Sequence, residues 1–385
     1  MEATADKSAT PPAGGDLAGA PRARPGSGDG GMLGGLRKVK RFTFVDVVLW
    51  LLRIGVAFVV IGGAIGTLIK GRYEASQWVD FVVFGLTIGG VYALLALGYT
   101  MVYGILRQIN FAHGDTMMAG AFSAYFAANY FKRNGMLESD AVIAMVVTVL
   151  VAMIVCTLVA LTVERICYRP FRHVRSLAPL ICAIGASFFI QHTFRAMYGS
   201  TVRSFPDTSW LNGDVSLLGG SMPVTQVLVI GSAAAAMLVL YLVVHKTRMG
   251  KAMRAVSEDR DAAAMMGIDI NRVIVFTFTL GASMAGIGGI LYMLVYKQVY
   301  FFMGFLPGIK AFTAAVLGGI GNIPGAMFGG IFLGLVESVG PALFLDGLGV
   351  PAPYQLKDAI AFTVLIMVLV FRPEGLLGER RAKRA

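Results

Sequence analysis

The sequence predicts an all-α, polytopic integral membrane protein with about eight full spans plus a glycine-broken hairpin, up to ten membrane helices in all. Composition points there first. Of 385 residues, 56% are hydrophobic and 14% charged, against the roughly 25% charged residues of soluble domains. Mean hydropathy is +0.72. Apolar stretches of about 20 residues, the length that crosses a bilayer's hydrocarbon core, recur along the chain. In lipid, such stretches satisfy their backbone polar groups internally by coiling into helices.

The elements follow in order. Residues 1–36 are rich in Ala, Gly, Pro and Ser without apolar periodicity, a composition that cannot offset chain entropy by burial, so the chain to residue 44 reads as a disordered tail. The first apolar run starts near Val45 and is long enough to be a retained anchor rather than a secretory signal. Spans are expected at 45–69, 81–104, 141–163, 177–197, 224–245 and 272–296, with shorter embedded stretches at 116–131, 311–340 and 357–371.

Lys and Arg mark the cytoplasmic loops of membrane proteins. Here 23 of the 33 fall before residue 45, at Arg107, or in 164–176, 246–272 and 372–385, and eight fall in the alternating connections 70–80, 132–140, 198–223, 297–310 and 341–357. Both termini are then expected inside. The net charge of +11 is chiefly a topology signal, and nucleic acid is not needed to explain it. With 297–310 outside and the terminal span ending inside, 311–340 must enter and leave on one side. Its glycines and proline between Gly318 and Pro324 supply the break, and Gly321, Gly325 and Gly329, four apart, fit close helix packing. A second interruption, Asn110-Phe111-Ala112-His113-Gly114-Asp115, precedes the stretch at 116–131. Two broken segments in corresponding parts of two halves point to a substrate path. Pure packing is the plainer reading of the glycines, and His113 and Asp115 are equally explained as caps of a helix starting near Thr116.

Catalytic signatures are missing. There is no phosphate-cradling G-x-x-x-x-G-K-[ST] loop and no H-E-x-x-H, and Gly281-Ala282-Ser283-Met284-Ala285 lacks the last glycine of a nucleophile elbow. Cys156, Cys167 and Cys182 lack C-x-x-C spacing, and the four histidines are scattered. No metal site, cofactor or disulfide framework is expected. Ionisable residues in the spans are sparse: Arg53, Arg195 and Glu337. An ion-coupled carrier places paired acids or histidines inside its bundle, so this pattern favours transport driven from outside the chain. Glu337 reads either as a cavity-facing group or as a structural hydrogen-bonding one.

The segment 246–272 is too long for a turn, free of proline and rich in Ala and Met, with charges gathered from Arg254 to Asp261. It reads as an exposed helix needing a partner. Here the chain resembles the permease subunits of branched-chain amino-acid ABC importers, of the LivH type. Asp261-Ala262-Ala263 followed three residues later by Gly267 is similar to the Glu-Ala-Ala…Gly loop of ABC import permeases, with Asp for Glu and without the Ile-x-Leu-Pro ending of some members. The run Gly98-Tyr99-Thr100-Met101-Val102-Tyr103-Gly104 with Ile109-Asn110-Phe111-Ala112-His113-Gly114-Asp115 resembles the family's signature. So do Met249-Gly250-Lys251-Ala252-Met253-Arg254-Ala255 and Phe371-Arg372-Pro373-Glu374-Gly375-Leu376-Leu377-Gly378.

The resemblance covers about 78–378, the expected permease domain, leaving 45–69 as an additional N-terminal helix and 379–385 as a basic cytoplasmic tail. It implies a non-catalytic subunit in the bacterial inner membrane, paired with a homologous second permease and two cytoplasmic ATPase subunits. A periplasmic binding protein would deliver substrate to the outer loops, of which 198–223 is the longest. Residues 251–267 would form the ATPase-coupling helix, with Arg254, Asp259 and Asp261 as polar contacts and Ala262, Ala263 and Gly267 permitting close approach. Asn110, His113, Asp115, Gly321, Asn322 and Glu337 are the candidates for the substrate path. Urea, short amides and other amino acids are alternative substrates within the family. A self-sufficient channel, an ion-coupled carrier and a membrane enzyme are the rivals from other classes.

Overall fold

The protein is described by a computed structural model over residues 44–172, 177–206, 208–217, 220–372 and 374–378. Apart from Phe44, the tails expected at 1–44 and 379–385 lie outside the described residues. Long apolar runs, with a few short polar pieces between them, become the helices α1 (Phe44–Lys70), α2 (Ala75–Leu106), α3 (His113–Arg133), α4 (Met136–Ser139), α5 (Ala141–Val163), α6 (Ala178–Tyr198) and α7 (Val224–Lys246). They continue as α8 (Arg248–Glu258), α9 (Arg260–Met265), α10 (Ile270–Tyr296), α11 (Phe305–Gly318), α12 (Ile323–Gly340) and α13 (Lys357–Phe371). Eight helices among the described residues are long and apolar enough to cross a membrane. Helix α3, with 21 residues, and α11, with 14, complete the bundle. Between α6 and α7 the connection forms the hairpin β2 (Asp214–Leu217) with β3 (Gly220–Pro223), and β1 (Arg203–Ser204) pairs with β4 (Gln298–Val299) at the start of the α10–α11 connection.

By contacts the chain divides into Met1–Arg53 and Ile54–Ala385. Of the first unit, residues 44–53 are described; they form the opening turns of α1 and carry exposed Phe44, Trp50 and Leu51. In the second unit, α2 and α10 are the most enclosed spans. Helix α2 packs on α7, α10, α11 and α12, while α10 packs on α3 and α5.

The closest of these contacts uses glycine on both sides. A Cβ on Gly334 would stand 2.3 Å from the Gly89 nitrogen, one on Gly330 2.4 Å from the Ala93 Cα, and one on Gly89 2.8 Å from the Ile331 Cα. Spaced four residues apart on each helix, these glycines let two backbones touch. Gly325 and Gly329, expected to pack, do so on α11 against the carbonyls of Gly318 and Ala314. Gly321 departs from the expected stripe: it lies in the α11–α12 turn at φ 96°, next to Gly319 at φ 102°, conformations that favour residues without a Cβ.

The hairpin is longer than expected and contains a charge assigned above to an outer loop. It begins at Phe305 rather than near 311, and Lys310 is buried inside it. The Lys310 ammonium lies 2.8 Å from Glu337 Oε1 and 2.6 Å from Asp358 Oδ1, donates to the Tyr92 hydroxyl at 3.4 Å, and shares Glu337 with Lys357 at 3.6 Å. At 1.5 Å per residue, Tyr92, Glu337 and Asp358 each stand about 20 Å along their helices from the end that carries residues 106, 323 and 371. Two cations and two anions therefore meet here, Lys310 and Glu337 buried in the bundle and Lys357 and Asp358 part-exposed at the start of α13, so the expectation of sparse ionisable groups is corrected. Both charges that Lys310 pairs with come from other helices, a partnership the linear sequence does not display.

Helix α1 reaches this region through its last turns. Thr67 Oγ1 donates to the carbonyls of Ala342 and Leu343 at 3.2 and 3.1 Å, Lys70 Nζ to the Gly347 carbonyl at 2.8 Å, and Arg72 pairs with Asp346 at 2.7 Å. These partners lie in the π-helical turn Pro341–Leu345 and just beyond it.

Two substitutions test this packing. Gly334→Ala should cost about 1–3 kcal/mol through a backbone clash that rotamers cannot relieve. Gly231→Ala, whose Cβ meets nothing within 4 Å, should be tolerated; thermal unfolding of the detergent-purified protein compares them. Lys310→Met should destabilise by about 3 kcal/mol by leaving the buried Glu337 carboxylate with only its longer contact to Lys357. Adding Glu337→Gln should recover part of that loss in the same assay.

Candidate functional site

The element between α7 and α10 is two short helices rather than one. Thr247 caps α8, its hydroxyl accepting from the Gly250 N–H at 3.0 Å. Buried Gly250, Met253 and Val256 give α8 its inner face at helical spacing. Asp259 then breaks the helix and caps α9, Oδ1 accepting from Asp261 and Ala262 N–H at 2.9 and 3.1 Å. Gly267 ends α9 at φ 81°, the left-handed position after a helix that glycine fills at least cost. Asp269 caps α10 in the same way as Asp259 caps α9.

Of the residues expected at a partner surface, Arg254, Asp261, Ala262 and Gly267 are exposed, Asp259 is exposed but used as a cap, and Ala263 is buried. The exposure expected of Ala263 is thus corrected: α9 turns that methyl inward. The most exposed large apolar side chains here are Met265 at 83% and Met266 at 82%.

Two arginines tie this element to the end of α2. Arg260 donates from both Nε and Nη2 to the Ile105 carbonyl, the Nε contact at 3.1 Å, and Arg107 Nη2 donates to the Ser257 carbonyl at 3.0 Å. The last carbonyls of a helix lack intrahelical partners and carry negative partial charge, which a guanidinium satisfies well. Burial lowers the Arg260 pKa from its ordinary range; the nearby charges of Arg172 and Arg107 push the same way and Asp261 opposes them. Sequence reasoning saw Arg260 and Arg107 only as loop charges, because their partners are backbone atoms about 150 residues away.

Beyond α2 the chain is irregular over 107–112 before α3 begins at His113. The helix starts three residues earlier than expected, and neither His113 nor Asp115 caps it. Asn110 instead folds the turn, its Oδ1 accepting from the Ala112 N–H at 3.1 Å, and the Tyr168 hydroxyl holds the Ile109 carbonyl at 3.0 Å. His113 is buried against Gly98, where a Cβ would lie 2.2 Å from the imidazole Nε2, and packs edge-on to Tyr99.

The remaining path candidates separate into three places. Gly321 and Asn322 line a cavity of about 330 Å³ together with Gly104, Arg107, Arg254 and Glu258. The break in the hairpin therefore lies at the end of the bundle that carries α8, beside residues 376–378: the Leu376 and Leu377 N–H groups donate to the Leu317 and Gly318 carbonyls at 2.8 and 3.2 Å. Asn322 caps α12 and donates to the Leu377 carbonyl at 2.8 Å. Glu337 belongs to the ionic set already described. Asp115 alone borders a cavity of about 280 Å³ between α3, α6 and α11. It is 1% exposed, with Ser187 Oγ donating to Oδ2 and Gln191 Nε2 to Oδ1 at 2.9 Å. Ser187 and Gln191 were not singled out in the sequence; their polarity at a four-residue spacing on one span was the available signal.

The comparisons agree with one another. The family described as "Branched-chain amino acid transport system / permease component" matches residues 81–369. The high-affinity branched-chain amino acid transport system permease protein BraD of Pseudomonas aeruginosa is 39% identical over 315 residues, covering 81% of this chain and 99% of its own. The corresponding LivH of Escherichia coli K12 is 38% identical over 305 residues, covering 78% of this chain and 95% of its own. A LivH from Methanocaldococcus jannaschii is 28% identical over 288 residues, covering 74% and 88%. A match over most of the bundle, from the second span to the last, makes this chain a multi-pass membrane protein belonging to the branched-chain amino-acid transport permease family.

Proposed function

We propose that this chain is the membrane-spanning subunit of an ATP-driven importer of branched-chain amino acids, with residues 78–378 as the permease domain and α1 as an added helix. The observation that carries the reading is the exposed α8–α9 element in a member of this permease family. Its apolar tip, Met265 and Met266, has the chemistry of a docking knob for the groove of a cytoplasmic ATPase subunit, and Arg254 and Asp261 flank it with charge. Two ATPases, a homologous second permease and an external binding protein complete the proposed complex. The basic end of the bundle faces the cytoplasm of a bacterial inner membrane, in keeping with the loop charges, and both termini lie on that side.

Transport then follows by alternating access. ATP-driven closure of the ATPases moves α8 and α9 together, and the clamp of Arg260 on Ile105 and Arg107 on Ser257 passes that movement to α2. Helix α2 is in backbone contact with α12, so the bundle responds as packed helices rather than as loose rods. The chain itself moves substrate and does no bond chemistry.

Co-purification with candidate ATPases, followed by ATP-dependent uptake of labelled leucine with urea as competitor, tests the reading; failure to recruit any ATPase overturns it. Met265→Glu with Met266→Glu should weaken recruitment about tenfold or more by placing charge in a desolvated contact. Melting should not change, because both side chains are exposed. Arg260→Ala should leave the ATPases bound and hydrolysing while leucine uptake falls about tenfold, the loss of one charge-assisted contact. Paired ATPase and uptake measurements on the same proteoliposomes read that uncoupling.

A further inference from the structure

The geometry points to the cavity between α3, α6 and α11 as a binding site for a single free amino acid, with Asp115 receiving its α-ammonium group. This rests on the function proposed above and names where and how the substrate is held.

Three observations carry it. The first is a charge without a counter-charge. Asp115 is buried, and among the described residues no Lys, Arg or His forms an ion pair with it. Its two carboxylate oxygens are held by neutral donors, the Ser187 hydroxyl and the Gln191 amide. Elsewhere in the bundle the buried carboxylate Glu337 has a lysine against it. Burial disfavours an unpaired carboxylate, so an ammonium group entering at the cavity wall would supply the pairing that the neutral donors and the first turn of α3 do not, while those donors already fix the direction of the carboxylate oxygens.

The second observation is depth. His113, two residues from Asp115, packs against Gly98 and lies near Gly281. At 1.5 Å per residue those positions are about 12 and 17 Å from the corresponding ends of α2 and α10. In a hydrocarbon layer about 30 Å thick that is near the middle, where substrate sites of alternating-access proteins are found.

The third is the convergence of two helix starts at that depth. The first turn of α3 and that of α11 meet so closely that a Cβ on Gly304 would lie 2.2 Å from the Gly114 carbonyl oxygen. Both helices begin inside the bundle, so their positive ends are buried beside the cavity. A zwitterion fits this arrangement: its ammonium at Asp115 in the first turn of α3, its carboxylate toward the start of α11 at Gly304 and Phe305, and its side chain against Phe111, Ile184, Phe188 and Ile309. At about 280 Å³ the space is at the lower edge of the roughly 300–1,000 Å³ that drug-sized ligands occupy, which suits one amino acid. Ile184 and Phe188 are partly exposed on α6, so the cavity opens sideways between α6 and α11.

The test uses the complete transporter in proteoliposomes: this chain with its second permease, its ATPases and its binding protein. Asp115→Asn keeps the shape and removes the charge; it should lower leucine uptake about 30-fold or more, the weight of a charge-assisted hydrogen bond. Ile184→Phe narrows the apolar wall at a half-open position. It should shift the leucine-to-valine uptake ratio about tenfold toward valine, the scale of one methylene in a pocket, a change that a merely structural role would not produce. A wild-type complex that moves leucine beside an Asp115→Asn complex that moves it equally well, or an unchanged leucine-to-valine ratio in Ile184→Phe, overturns the site while leaving the importer reading in place. A wild-type complex that moves no leucine overturns the importer reading itself. Should Asp115→Asn fail to fold, the ratio in Ile184→Phe decides.

Discussion

Backbone contact between α2 and α12 is the constraint on which the rest of the bundle depends. The glycines at 85, 89, 330 and 334 bring the two helices to a separation at which even one methyl group does not fit. Everything of functional interest is attached to this pair. The C-terminal end of α2 receives Arg260, and the chain beyond it turns through Asn110 into α3 and Asp115. Helix α12 carries Glu337 at one level and the Asn322 cap at the other. In lipid there is little hydrophobic force between helices, and close van der Waals packing of small residues takes its place. A rigid central pair gives the peripheral helices something to move against.

Charge is handled differently at different depths of the same bundle. Lys310, Glu337, Lys357 and Asp358 pair across three helices, which fits a holding role: Lys310 bridges both carboxylates, and removing it leaves buried Glu337 with only the longer contact to Lys357. Asp115 is oriented by Ser187 and Gln191 and has no cation against it among the described residues, and Arg260 places its charge on a helix end. The arrangement separates groups that keep the bundle together from groups available to something that enters or docks. Such a division is physically reasonable where an unpaired charge is tolerated only for a purpose.

The sequence was most informative where one physical requirement dominated. Crossing a bilayer demands length and apolarity together, and the expected spans at 45–69, 141–163, 224–245 and 272–296 agree with the helices to within about two residues. The loop at 246–272 was legible because Ala and Met persisted among charges. Legibility failed where partners are distant in sequence. Lys310 looked like a loop cation because nothing nearby announces Glu337 or Asp358, and Asp115 read equally as a cap or as part of the path because Ser187 and Gln191 lie more than 70 residues on. Helix α3 was clipped at its start since His113, Gly114 and Asp115 are polar or flexible in isolation and are stabilised only by their burial.

The attachment of α1 has a consequence for how the protein is made. Thr67, Lys70 and Arg72 bond to residues 342–347, about 275 positions later in the chain, and α2 likewise meets α12 only after some 240 intervening residues. During synthesis from the N-terminus, the faces of the first two spans that meet residues 330–347 stay uncovered until that late stretch of the chain has been inserted. Pairings this remote in sequence form late and slowly. The glycine faces, nearly featureless to lipid yet complementary to each other, make that wait tolerable: they offer little for a premature partner to grip until the matching face arrives.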